Sequence, residues 1–103
     1  DAKLIFDCGQ IGPDYIPGHG HADLFSIELS IFEKRLIVNG GTSTYEISKK
    51  RSFERSSAAH STVEIDGKNS SEVWSSFRVA RRAHPKNVII DNGNDEINIS
   101  ALN

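Results

Sequence analysis

The chain has no methionine, a single cysteine (Cys8) and a formal net charge of only −2 over its 103 residues. One cysteine excludes an internal disulfide and any zinc site built from several thiolates. Interspersed charges of both signs leave no basic stripe of the kind nucleic acid requires. The basic patch at Arg78, Arg81, Arg82, His84 and Lys86 reads as a solvated strand face and loop rather than an anion site. No apolar run approaches the length of a membrane span, and these 103 residues contain no signal-peptide pattern, internal repeat or low-complexity tract. Hydrophobic residues make up 37%, low for a free-standing core in so short a chain. With Asp1 in place of an initiator methionine, the expectation is a processed or excised piece of a larger protein, one partial domain over 1–103.

What is present is strand-like. LFSIELSIF places Phe25, Ile27, Leu29 and Ile31 on one face, and Leu24, Ser26, Glu28 and Ser30 on the other. The pattern predicts further strands at LIFD near the N-terminus, RLIVN (35–39, after a turn at Glu33-Lys34), the Thr42–Ile47 stretch, HSTVEIDG (60–67, closed by an Asp-Gly turn), VWSSFRVARR, NVIID and EINISAL. The last two are separated by the hairpin signal Asn92-Gly93-Asn94-Asp95. Gly9–Gly20 and Ser48–Ala59 are expected loops, the second with room for a helical turn. The fold class expected is all-β, an antiparallel sandwich, with partner strands missing beyond Asn103 because a sandwich cut there exposes an edge.

GHGHADLFSIELS (Gly18–Ser30) concentrates the chemistry. On extended backbone His19, His21 and Asp23 share a face with the apolar row, so they must be paired, solvated in a cleft or bound to something. Gly18 and Gly20 leave room for close approach. Three uses compete. His-x-His-x-Asp opens several metallohydrolase sites, but Leu24 stands where the binuclear version wants another histidine, and the helices of those folds are not predicted. The histidines also suit acid–base chemistry near neutral pH. Finally, one can serve chemistry and the other a structural metal, with His60 and Asn39 as further ligands. Asn39 oxygen is a weak zinc ligand, so reduced affinity is expected.

GHGHADLFSIELS, RLIVNGGTSTY and RSFERSSAAHSTVEIDG, in that order across residues 7–67, resemble the core motifs of heparinase II/III-like polysaccharide lyases. The resemblance implies a β-sandwich module following an N-terminal (α/α) toroid, in a protein that cleaves uronic-acid-containing polysaccharides, heparan sulfate-like or alginate-like, by β-elimination. It implies that His19 is the catalytic histidine and that His21, Asn39 and His60 hold a structural zinc, Asn39 falling where the family usually has an aspartate. Asp23 is expected to orient an imidazole, and Tyr45 and Arg55 to support or face substrate. Ser61 replaces the usual asparagine after the third histidine. The implied partners are an acidic polysaccharide and the toroid, which carries the catalytic tyrosine and the carboxylate-neutralising residue, so the segment alone is expected to be inactive. A periplasmic or secreted location is expected. The alternative is a non-catalytic glycan-binding or scaffold domain with a degenerate site.

Overall fold

Alternating apolar residues in Ala2–Phe6 (β1) and Ile27–Ile31 (β2) pair antiparallel, with Ala2 opposite Ile31 and Phe6 opposite Ile27. Lys34–Ile37 (β3) returns along the other side of β2 with a bulge at Leu29/Ser30. The turn joining them is Phe32-Glu33, one residue earlier than the sequence predicts, and both residues take positive φ (47° and 65°). That is the primed geometry whose twist matches a two-residue hairpin. The computed structural model describes residues 1–93 and 97–102.

Two further hairpins follow. Val73–Trp74 (β4) pairs with Arg78–Val79 (β5), and Lys86–Asn92 (β6) pairs with Ile97–Leu102 (β7). VWSSFRVARR is therefore folded back on itself around Ser75, at φ 50°, rather than running on as one strand. Asn94 and Asp95 of the predicted turn between β6 and β7 lie outside the described residues. Among the described residues every ladder is antiparallel, as expected, and the ladders form three small separate sheets. Among the described residues no helix is long and apolar enough to cross a membrane.

Two predicted strands do not form. Thr42–Ile47 carries no ladder, and residues 60–67 contribute only the bridge Ile65–Lys68 around the expected Asp66-Gly67 turn. Side chains occupy backbone groups a ladder would use: in the first stretch Ser43 N donates to Glu54 Oε2 at 3.2 Å and Glu46 N to Thr44 Oγ1 at 3.1 Å. Ser61 Oγ donates to Val38 O at 2.6 Å, Thr62 Oγ1 donates to Leu24 O, and Ile27 N donates to Ser61 O at 3.0 Å. Val63 and Ile65 are left exposed.

The interior is small and unusually polar. Ile11, Leu24 and Ala83 form the apolar cluster with Phe25 against it, and Phe25 stacks on Phe6 at 5.7 Å. Buried beside them are Ser26, Ser57, Ser71, Ser76, Arg51 and Arg55. The serines staple loops: Ser57 Oγ donates to Ala22 O at 2.7 Å and accepts from Ser70 N at 3.0 Å, while Ser71 Oγ accepts from Ala83 N at 3.0 Å. Each bond of this kind contributes about 1 kcal/mol net, and its larger effect is to avoid an unpaired buried group.

The expected helical turn is a six-residue helix, Lys49–Glu54 (α1), capped by Ser48, whose side chain accepts from Arg51 N. Arg51 within it and Arg55 at its C-cap are one turn apart and both face inward.

Candidate metal and catalytic site

The Gly18–Gly20 turn comes first, because it aims the histidines. Pro17–His19 makes one 3-10 turn closed by Gly20 N donating to Pro17 O at 2.8 Å. A Cβ on Gly18 would sit 3.0 Å from Phe77 O, and one on Gly20 would sit 3.0 Å from Ile11 Cγ2 and 3.1 Å from Pro17 O. Only glycine lets the turn press this closely against β5 and the Ile11 loop.

Arg55, with 0% of its surface exposed, locks the turn in place. Its guanidinium donates to Gly20 O at 2.8 Å, Gly18 O at 3.4 Å, Trp74 O at 2.9 Å and Ser75 O at 3.1 Å. It thus ties the histidine turn to the β4–β5 turn. Arg55, expected to support or face substrate, is buried with its guanidinium bonded to backbone carbonyls.

The predicted alternation is reversed here. Ala22, Leu24 and Ser26 are buried, while Phe25 and Ile27 are half-buried. Ser26 N turns back to Asp23 O at 3.0 Å and Phe25 takes φ 61°, so extended strand starts only at Ile27. His19, His21 and Asp23 nonetheless line one cavity of about 320 Å³, together with Asp7, Gln10 and Thr42.

His21 and Asp23 of this lining, together with His60, each offer a ligand atom, all within 4.8 Å of one another. His21 Nδ1 lies 3.1 Å from His60 Nε2. Two imidazole nitrogens on a tetrahedral zinc, at Zn–N of about 2.0–2.1 Å, stand roughly 3.3 Å apart, close to the spacing found. Two imidazoles and one carboxylate, with a fourth position open, are a donor set zinc accepts.

Asn39 was expected among the ligands. The structure instead places its Oδ1 2.7 Å from His60 Nδ1, on the side of the ring away from His21. Asp23, expected to orient an imidazole, is the carboxylate that joins the cluster.

The hydrogen atoms in this site have one consistent arrangement. Arg51 Nη1, a donor only, lies 3.1 Å from His21 Nε2 and 3.0 Å from Thr42 Oγ1. His21 Nε2 therefore bears the lone pair, and Nδ1–H donates to His60 Nε2. His60 Nδ1–H donates in turn to Asn39 Oδ1, and Asn39 Nδ2 donates to Ser26 Oγ at 3.4 Å. Burial, then the charges of His60, Arg51 and Arg55, push His21 down to a pKa of about 4. Burial pushes the Asp23 carboxyl up, with His60 pulling against it.

His19 stands apart. It is exposed at the cavity's edge, packed edge-on against Phe77 (5.2 Å) and Tyr45 (5.6 Å), which stack on each other at 5.4 Å. Arg51 covers the Tyr45 ring at 5.2 Å. Among the described residues neither ring nitrogen of His19 has a hydrogen-bond partner, and the side chain is exposed.

The sequence matches the family described as Heparinase II/III-like, C-terminal, over residues 1–101. The chain belongs to this family. No curated protein and no solved structure matches it. Heparinase II/III-like membership and the His21/Asp23/His60 cluster together make this a lyase-family domain with a possible metal site.

Sequence reasoning missed Arg51 altogether. Its signal was available in RSFER, two arginines at helical spacing beside a serine cap, but nothing local indicates that both are buried.

Proposed function

We propose that this segment is the part of a polysaccharide lyase that contributes a proton-transferring histidine, His19, and a structural zinc site, His21/Asp23/His60. Its ladders would belong to a β-sandwich that packs on an (α/α) toroid in the whole protein, in the periplasm or outside the cell. The substrate would be an acidic polysaccharide containing uronate. The observation carrying this reading is the arrangement of the site: an exposed imidazole whose nitrogens have no partner among the described residues stands at the cavity's edge, while His21 and His60 converge with a carboxylate.

In the reaction the C5–H bond of the uronate breaks and its electrons form a C4=C5 double bond. The C4–O bond to the neighbouring sugar breaks, and that oxygen leaves with a proton. Neutralising the carboxylate makes C5–H acidic enough to lose, a task for the toroid. His19 moves a proton at one of its ring nitrogens, an imidazole's ordinary role near neutral pH. Tyr45 and Phe77 hold its ring, and the Arg55 clamp holds the turn on which it rides. Zinc, when bound, would fix the relative positions of the Gly18–Asp23 turn and the segment bearing His60, and supplies no reaction step.

The test is to offer the whole protein heparan sulfate, chondroitin sulfate, hyaluronan and alginate, and to follow ultraviolet absorbance of the unsaturated uronate. Absorbance on one of them supports the lyase and gives the substrate class. Silence from folded protein on all four overturns it in favour of a non-catalytic glycan-binding domain, the reading that Asn39 in place of a carboxylate favours.

A further inference from the structure

Arg51 is the least expected group in the site. It is a cation, 1% exposed, with no carboxylate within salt-bridge reach among the described residues. Its Nε and Nη2 are occupied by Ser76 O at 3.3 and 3.2 Å, so the guanidinium is held rigidly, and its remaining nitrogen is delivered to His21 Nε2. Two side chains therefore anchor the orientation of the His21 ring: Arg51 on Nε2 and His60 on Nδ1.

A neutral imidazole carries one hydrogen. His21 can turn a lone pair on Nδ1 towards a metal beside His60 and Asp23 only if its hydrogen moves to Nε2. There it would point at Arg51 Nη1, which also presents hydrogen. Thr42 Oγ1, 3.4 Å from Nε2, is the acceptor left for that hydrogen. A hydroxyl oxygen has two lone pairs, so Thr42 can take it while still accepting from Arg51 at 3.0 Å; what must give way is the Arg51 hydrogen aimed at His21 Nε2. The fixed positive charge also opposes a divalent cation across the ring.

We infer that Arg51 and a divalent metal are competing partners of His21: Arg51 holds the ring in the tautomer that cannot bind metal at Nδ1, and Thr42 is the acceptor that permits the metal-binding tautomer. This rests on the metal reading of the same cluster. It makes Arg51 and Thr42 positioning residues that set metal affinity from outside the ligand set, in opposite directions. The Asn39–His60 contact needs no such change, since His60 already presents its Nε2 lone pair to the cluster.

The test uses the whole protein, labelled with nitrogen-15 at histidine, and zinc as the probe. Without metal, His21 should show a protonated Nδ1 and an unprotonated Nε2; zinc should reverse the assignment. Finding Nε2–H in the metal-free protein overturns the proposal. In zinc titrations Arg51→Met should bind about tenfold tighter or better, and Thr42→Val about tenfold weaker, the usual scale for residues behind a ligand. Should Arg51→Met fail to fold, Thr42→Val and the wild-type spectra decide the matter. Equal zinc affinity in wild type and both folded variants would overturn the role of Arg51 while leaving the metal site standing. No zinc binding in any of them would overturn both.

Discussion

Asn39 Oδ1 accepts the Nδ1 hydrogen of His60 at 2.7 Å, and its amide donates to Ser26 Oγ at 3.4 Å. The carboxamide thereby fixes which nitrogen of His60 turns to His21 and Asp23. This is the position from which a carboxylate commonly tunes a metal-binding imidazole, making the ring more basic and orienting it. An amide orients the ring equally well but adds no charge.

Asn39→Asp is accordingly expected to tighten zinc binding by about tenfold, and Asn39→Leu, which has no acceptor, to loosen it by a similar factor. Competition against a chromogenic chelator measures both. Unchanged affinity in the aspartate variant would separate Asn39 from the metal site.

The Arg55 clamp should dominate stability. Arg55→Met strands at least three carbonyls that the buried guanidinium now covers, at Gly20, Trp74 and Ser75. A loss of about 3 kcal/mol or more in urea unfolding is expected, from roughly 1–3 kcal/mol for each unsatisfied group less what relaxation recovers. Arg55→Lys should rescue little, because one ammonium cannot span two turns as a guanidinium fork does. A loss below about 1 kcal/mol for either would mean water replaces the clamp.

His21 makes stability depend on pH. Its folded pKa of about 4 lies below the ordinary 6.5. The unfolded chain therefore binds more protons between those values, and stability falls as pH drops through that window. Above 6.5 the His21 contribution is fully present; below about 4 it is lost. Asp23, with its carboxyl pushed up, acts in the opposite sense as pH rises above the ordinary 3.8. Comparing thermal midpoints of wild type and His21→Gln from pH 4 to 8 isolates the histidine: the difference should shrink towards acid pH. A constant difference would contradict the burial of a neutral ring.

The seat of His19 should affect turnover rather than binding. Phe77→Ala removes one of the two rings against the imidazole, and Tyr45→Ala the other. Each is expected to lower kcat about tenfold or more, because small misplacements of a reacting group are costly. A change confined to KM would make the rings a substrate platform instead.

How much of this was legible in the sequence varies by element. β1 and the β2–β3 hairpin were readable because apolar residues recur densely there and a two-residue turn at Phe32-Glu33 joins β2 to β3. Thr42–Ile47 and 60–67 have strand composition but serve as connectors: Ser43 N and Glu46 N donate to the side chains of Glu54 and Thr44, and Ser61 and Thr62 satisfy backbone groups of adjoining segments. The convergence of His21 with His60 was legible from ordered motifs. That Asp23 sits beside His21 was legible from their alternate spacing; that it stands within ligand distance of His60 was not, because nothing local brings together groups so far apart in the chain. Arg51 was not legible either, since an arginine in a short polar helix ordinarily faces water.

The central claim is a division of labour: His19 for proton transfer, and His21 with His60 for holding the site together. The measurement that tests it most directly is the rate of unsaturated-uronate formation by whole protein carrying His19→Ala, alongside its zinc affinity. Abolished turnover with unchanged zinc affinity is the predicted result. Turnover close to wild type, or zinc affinity lost together with turnover, would contradict it.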